Sequence, residues 1–187
     1  MTPVTTPSST TPTPRLFFAL WPPTELSREL YRLAGNALRD GSARRVVPEN
    51  IHLTLAFLGS VDASFRECAE RAASAIRSES FTLILEQMGC WPKSGILWAG
   101  SAQTPGPLLH LVQSLNAGLT GCGFEAEKRP YAAHLTLARK AHQIHGSRAI
   151  EPHSWEINRF CLVQSHARQE GAHYETLRSW ELKPPAV

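Results

Sequence analysis

The chain has 187 residues, 42% of them hydrophobic and 19% charged, with a formal net charge of +3. That length allows one domain, or two small lobes sharing a core, and the mild charge suits an anionic ligand without by itself implying nucleic acid. There is no apolar run of the roughly 18–20 residues that a spanning helix needs and no basic stretch leading into an apolar one at the N-terminus, so a soluble, cytoplasmic protein is expected.

Residues Met1–Pro14 are almost all Thr, Pro and Ser; with no apolar face to bury, they are expected to be a disordered tail. The folded domain is expected over residues 15–183, followed by a flexible C-terminus at 184–187. RLFFALW from Arg15 reads as a buried strand, stopped by Pro22 and Pro23, with Thr24 placed to cap a helix. Leu26, Leu30, Leu33, Ala34, Ala37 and Leu38 supply that helix's apolar stripe. Arg44–Val47 reads as a short strand, Pro48–Asn50 as a turn and Ile51–Leu58 as a strand. Asp62 is placed to cap a second helix carrying Phe65, Ala69, Ala72, Ala73 and Ile76. Phe81–Met88 and Ile96–Ala99 read as neighbouring strands. Leu108, Leu111, Val112, Leu115 and Leu119 mark a third helix, ended by Gly121 and Gly123. Phe124–Glu127 reads as a short strand, Ala133–Arg139 as a longer one and Lys140–His153 as a polar loop. Trp155–Ser165 and Tyr174–Leu182 are the last strands, with a hairpin turn at Ala167–Gly171.

Two of these strands share one pentapeptide. His-Leu-Thr-Leu-Ala occurs at His52–Ala56 and again at His134–Ala138. Side chains alternate along a strand, so each copy puts a His and a Thr on one face and two Leu on the other. Each copy also follows a comparable order of strand, helix and short strand, which is an internal repeat in pattern. The expected fold is therefore α+β, with two lobes related by approximate two-fold symmetry. Each lobe is an antiparallel sheet with flanking helices, and the motif strands line the cleft between them. There His52 and His134 can act as acid and base near neutral pH on opposite sides of one phosphorus atom. Thr54 and Thr136 can donate to its non-bridging oxygens. Arg139 lies five residues past His134, so a regular strand would turn it away from the cleft; reaching in requires a bulge or a strand end.

Paired HxT motifs in a duplicated two-lobed chain resemble the 2H phosphoesterases. The resemblance is closer still to the bacterial RNA 2′,3′-cyclic phosphodiesterases, also called 2′-5′ RNA ligases. It rests on Arg15–Ala19, on Asn50–Gly59 around the first motif, on Arg129-Pro130 ahead of the second, on Arg139, and on Tyr174, Leu177, Trp180 and Leu182 near the end. It implies hydrolysis of RNA 2′,3′-cyclic phosphate ends to 2′-phosphates, without metal or other cofactor. It implies that His52 is the proton donor, that His134 is the proton acceptor, and that Thr54, Thr136 and Arg139 bind the phosphate. Without the resemblance the two histidines are interchangeable. The implied partner is RNA with a cyclic phosphate terminus, and a monomer with no obligatory protein partner and no membrane contact is expected. The family often has proline before the second histidine, where this chain has Ala133. Two other functions fit the same residues: joining RNA halves by a 2′-5′ linkage, and binding nucleotides or cyclic phosphates without turnover.

The remaining candidates have plainer readings. Cys68, Cys90, Cys122 and Cys161 are far apart and form no CxxC pair, so they are expected to be reduced and mostly buried. His142, His145 and His153 lack the acidic or thiolate partners of a zinc site. Arg44, Arg45, Lys128, Arg129, Arg139 and Lys140 could steer an RNA backbone toward the cleft, or simply solubilise the surface. The five tryptophans are expected in the core or between the lobes. An exposed aromatic near the cleft, Tyr131 or Phe17, could stack on a terminal base.

Overall fold

The structure is a computed structural model that describes residues 15–38, 43–142, 144–168 and 171–184. The tail expected at Met1–Pro14 and most of the C-terminal segment lie outside the described residues.

The first strand sets the layering. β1 (Arg15–Leu20) is buried along its length after Arg15, because both of its faces are covered. Leu16, Phe18 and Leu20 enter the main core, whereas Phe17 and Ala19 join a smaller cluster with Cys161 and Val163. A strand covered on both faces reads as an unbroken apolar run rather than an alternation. Next come α1 (Thr24–Ala37), β2 (Arg44–Arg45), a 3-10 turn at Pro48–Asn50, and β3 (Leu53–Gly59). Pro23, not Thr24, occupies the N-cap of α1, and no side chain caps it. α2 (Ala63–Ala75) does begin at the expected cap, with the Asp62 carboxylate accepting from the Phe65 N–H at 2.8 Å. β4 (Phe81–Trp91) and β5 (Ile96–Gly100) form a hairpin, followed by α3 (Gly106–Thr120), β6 (Leu135–Arg139), β7 (Ser147–Ile157), β8 (Arg159–Arg168) and β9 (Gly171–Glu181).

Among the described residues nine strands join one antiparallel sheet, in the order β7-β4-β5-β6-β3-β1-β8-β9, with β2 added beside β6. The two expected lobes are its halves, β3-β1-β8-β9 and β6-β5-β4-β7. They are continuous rather than separate because the motif strands pair with each other, at Leu53↔Leu135. These residues hold the same place in the two pentapeptides, so the approximate two-fold axis passes between them. The helices lie on one side of the sheet. α1 packs under β6 and α3 under β3, so each half's helix supports the other half's motif strand. The main core fills this layer. On the same side β9 is held to α2, where the Trp180 indole N–H donates to Ser74 Oγ at 2.9 Å and Arg178 meets Glu70 at 3.2 Å.

Three expectations about elements fail for physical reasons. Lys140–His153 is not wholly a loop, since β7 begins at Ser147 and pairs with β4. It is an edge strand with mostly exposed side chains, which erases the alternation. Pro152 falls in its register irregularity, between the pairs Gln87↔Ala149 and Leu85↔His153, where no ladder N–H is required. Trp155–Ser165 is not one strand but the end of β7 and the start of β8, divided at Asn158. Phe124–Glu127 forms no strand: the Phe124 N–H donates to the Leu119 carbonyl at the end of α3, and the three residues after it are exposed.

The cysteine expectation is also corrected. Cys68 on α2 and Cys122 just beyond α3 form a disulfide, with Cα atoms 5.8 Å apart, while Cys90 and Cys161 are free and buried. Spacing along the chain carried no hint of this, because the two residues meet only through the packing of α2 on α3. The bridge closes a loop over a sequence separation of 54 residues, and loops of that size gain about 2–4 kcal/mol from a crosslink. Thiol titration of the denatured, unreduced protein should find two free thiols. Reduction, or Cys68→Ser, should lower Tm by roughly 5–15 °C. Four titratable thiols and a Tm indifferent to reductant would contradict the bridge.

Candidate active site

The two motif strands meet on the side of the sheet away from the helices. Extending the Leu53↔Leu135 register by one residue each way sets His52 beside Thr136 and Thr54 beside His134. Residues directly opposite on antiparallel strands share a face, so both imidazoles and both hydroxyls line one surface. The leucines of the motifs point into the core, with Leu53, Leu135 and Leu137 fully buried and Leu55 nearly so. Among the described residues neither threonine hydroxyl is tied up in a hydrogen bond, which leaves both available to an anion.

Each histidine is oriented the same way. Nδ1 of His52 lies 2.8 Å from the Asn50 carbonyl, and Nδ1 of His134 lies 2.8 Å from the Ala132 carbonyl. A carbonyl only accepts, so each ring carries its proton on Nδ1 and leaves Nε2 as the atom that exchanges protons. The carbonyls are themselves anchored. The Asn50 side chain donates to the Ala172 carbonyl of β9 at 2.9 Å, and the Trp21 indole donates to the Glu49 carbonyl at 3.1 Å. On the other side, the Tyr131 hydroxyl donates to the Thr54 carbonyl at 2.7 Å, tying the approach to the second motif to the first motif strand.

The walls are aromatic and unequal. His52 stacks on Trp21 (ring centroids 4.8 Å apart, 17° between planes) and also touches Phe17 at 5.0 Å and Tyr174 at 5.2 Å. His134 meets Trp91 edge-on at 4.5 Å, with Trp98 behind it, 5.7 Å from Trp91. Two glycines make room on that side. A Cβ on Gly89 would lie 2.6 Å from the Trp98 ring, and one on Gly100 would lie 2.8 Å from the Ala133 carbonyl. Trp21 and Trp91 are thus site residues, contrary to the expectation that the tryptophans serve only core and lobe contacts. Burial pushes the His52 pKa down to about 4, opposed by the Asn50 carbonyl and reinforced by the positive charges of Arg139 and His134. His134 is also lowered, chiefly by burial, with Arg139 contributing. Both rings are therefore held toward the neutral form until an anion enters.

Arg139 does reach the cleft, because its strand is bulged. Trp98 pairs with Thr136 but Leu97 pairs with Ala138, so Leu137 is an extra residue that moves Arg139 onto the histidines' face. The first motif is bulged at the equivalent place: Ala19 pairs with Thr54 and Phe18 with Ala56, leaving Leu55 over. The residue turned into the cleft there is Phe57, which is 56% exposed. Phe57, rather than Tyr131 or Phe17, is the aromatic open to a ligand. Tyr131 is committed to Thr54, and Phe17 lies buried beneath His52. Alignment of the two pentapeptides one residue further, HLTLAF against HLTLAR, carried this signal. His142 is occupied in loop packing: its Nδ1 lies 3.1 Å from the Pro92 carbonyl and its ring sits over Gly95.

Comparison with known proteins gives the family and the fold. A family model for the 2′-5′ RNA ligase superfamily matches residues 22–169. The chain is 32% identical over 172 residues to an RNA 2′,3′-cyclic phosphodiesterase of Escherichia coli (strain K12), covering 90% of this chain and 96% of that protein. It is 33% identical over 163 residues to one from Aeropyrum pernix, covering 75% and 90% respectively. The crystal structure of E. coli LigT complexed with 3′-AMP superposes with a TM-score of 0.80 at 31% identity, over 90% of this chain and 97% of that one. Its complex with phosphate superposes with a TM-score of 0.77 at 30% identity, over the same shares.

The lowered histidines have a testable consequence. The unfolded chain binds a proton on His52 near its ordinary pKa of 6.5, but the folded chain does so only near about 4. Stability contributed by His52 is therefore present above about pH 6.5 and lost as pH falls toward about 4. NMR titration of the ring protons should show His52 neutral at about pH 6, and inorganic phosphate should raise its midpoint. An ordinary midpoint that phosphate does not move would refute the enclosed site.

Proposed function

Because the chain belongs to the 2′-5′ RNA ligase superfamily, we propose that it opens 2′,3′-cyclic phosphate ends of RNA by water, leaving a 2′-phosphate. The observation that carries this reading is the pair of imidazoles on one face, each with Nδ1 spent on a backbone carbonyl, which leaves Nε2 to exchange a proton. Nε2 of His134 takes a proton from water as the water oxygen bonds to phosphorus. The P–O3′ bond breaks, and Nε2 of protonated His52 gives its proton to the leaving O3′. Thr54 and Thr136 donate to the non-bridging oxygens, and Arg139 balances their charge.

His52 is held toward the neutral form in the free protein, so it takes its proton from solvent as the substrate anion binds. The phosphodiester anion favours the imidazolium, and the face of Trp21 against the ring favours it too. Phe57 is placed to stack on the terminal base, its neighbour on the cleft face being Phe17 across the ladder. The protein acts as a monomer. It works in the cytoplasm, where its RNA substrate is met.

The test is incubation with a short RNA ending in a 2′,3′-cyclic phosphate, in EDTA. The expected product has gained one water and resists a 3′-phosphate-specific phosphatase. His52→Ala and His134→Ala should each lower kcat at least 100-fold; a loss under tenfold in both would refute the mechanism. Phe57→Ala should raise KM by about 5–50-fold with kcat nearly kept, since base stacking contributes about 1–3 kcal/mol. A fall in kcat at unchanged KM would show that Phe57 has another role.

A further inference from the structure

The basic residues near the motifs do not form one patch, because the strand register separates them. β2 runs antiparallel to β6, with Arg44 opposite Arg139 and Arg45 opposite Ala138. Directly opposed residues share a face. Ala138 is fully buried in the core, so Arg45 lies on the helix side, where its guanidinium sits 4.1 Å over the Tyr31 ring and against Gly35 of α1. Arg44 is therefore on the cleft side with Arg139, and it is exposed.

Two like charges directly opposite each other destabilise a strand pair. Among the described residues, neither Arg44 nor Arg139 has a carboxylate partner to relieve that repulsion. Adjacent strands are about 4.8 Å apart, so two guanidiniums side by side form a cationic strip extending from the histidines toward the edge where β2 ends. Arg139 is close enough to the reacting centre to depress both histidines and to act on Tyr174. Arg44 is one strand further out.

We propose that Arg44 binds the phosphodiester on the 5′ side of the terminal nucleotide, and so distinguishes an RNA end from a cyclic mononucleotide. This rests on the hydrolytic reading of the same site and names the part of the substrate that reading leaves unassigned. A cyclic mononucleotide carries a single phosphate, which the histidines, threonines and Arg139 surround. An RNA end carries a second anion one nucleotide away, and Arg44 stands beside Arg139 without a carboxylate partner among the described residues. A guanidinium suits it, offering two parallel donors to one phosphate.

The experiment compares a trinucleotide ending in a 2′,3′-cyclic phosphate with adenosine 2′,3′-cyclic phosphate, for the unaltered protein, Arg44→Gln and Arg45→Gln. Arg44→Gln should lower the trinucleotide-to-mononucleotide ratio of kcat/KM about tenfold, through KM. It should also flatten the salt dependence of trinucleotide turnover by about 0.7 in log–log slope, the value for one phosphate contact on a single strand. Arg45→Gln should leave the ratio unchanged. A ratio unaltered in Arg44→Gln, or lowered equally in Arg45→Gln, would overturn the assignment while leaving the hydrolytic reading intact. Failure of the unaltered protein to open either substrate would remove the hydrolytic reading, and this proposal with it.

Discussion

Leu53 and Leu135 face each other where the two halves of the sheet join, and the cleft inherits its arrangement from that single pair. Both side chains are fully buried, so each motif strand is held by the core on its leucine face. Slipping either strand by one residue would turn its leucines to water and its histidine inward. The apolar face therefore enforces the position of the polar one. His52 beside Thr136 and Thr54 beside His134 follow from the same register, and the carbonyls of Asn50 and Ala132 then set which nitrogen each ring presents.

Symmetry supplies the two proton-transfer groups, and departures from it make the cleft directional. The paired bulges at Leu55 and Leu137 turn the following residues inward, but one is Phe57 and the other Arg139. One side thus offers an apolar ring and the other a charge. The enclosures differ too: His52 is boxed by Trp21, Phe17 and Tyr174, whereas His134 meets an edge of Trp91. A nucleoside phosphate is itself a base at one end and an anion at the other, so an asymmetric cleft accepts it in one orientation.

Much of this was legible in the residues. The repeated pentapeptide, the alternation of its side chains and the three apolar stripes were enough for the α+β class, the helices and the cluster of His52, His134, Thr54 and Thr136. Arg139 could be read only conditionally, because a bulge is a property of two paired strands and one strand's sequence does not display it. β7 was hidden for a related reason: an exposed edge strand has no buried face to produce a period, and Pro152 mimics a loop. The aromatic box around His52 draws on β1, the turn after it and β9, so its members share no local pattern. The Cys68–Cys122 contact arises from helix packing across 54 residues, a distance over which no spacing rule operates.

The sheet order also governs when the site can exist. β3 and β1, among the first strands made, are completed by β8 and β9, the last two. Tyr174, which closes the box around His52, and the Ala172 carbonyl that anchors Asn50 both come from β9. A ribosome-bound chain displaying both pentapeptides would still lack these parts. The first half of the sheet must wait, with one edge open, for strands made after both motif strands. A chain truncated before the final hairpin carries every proton-transfer group yet lacks the Tyr174 wall of the box around His52.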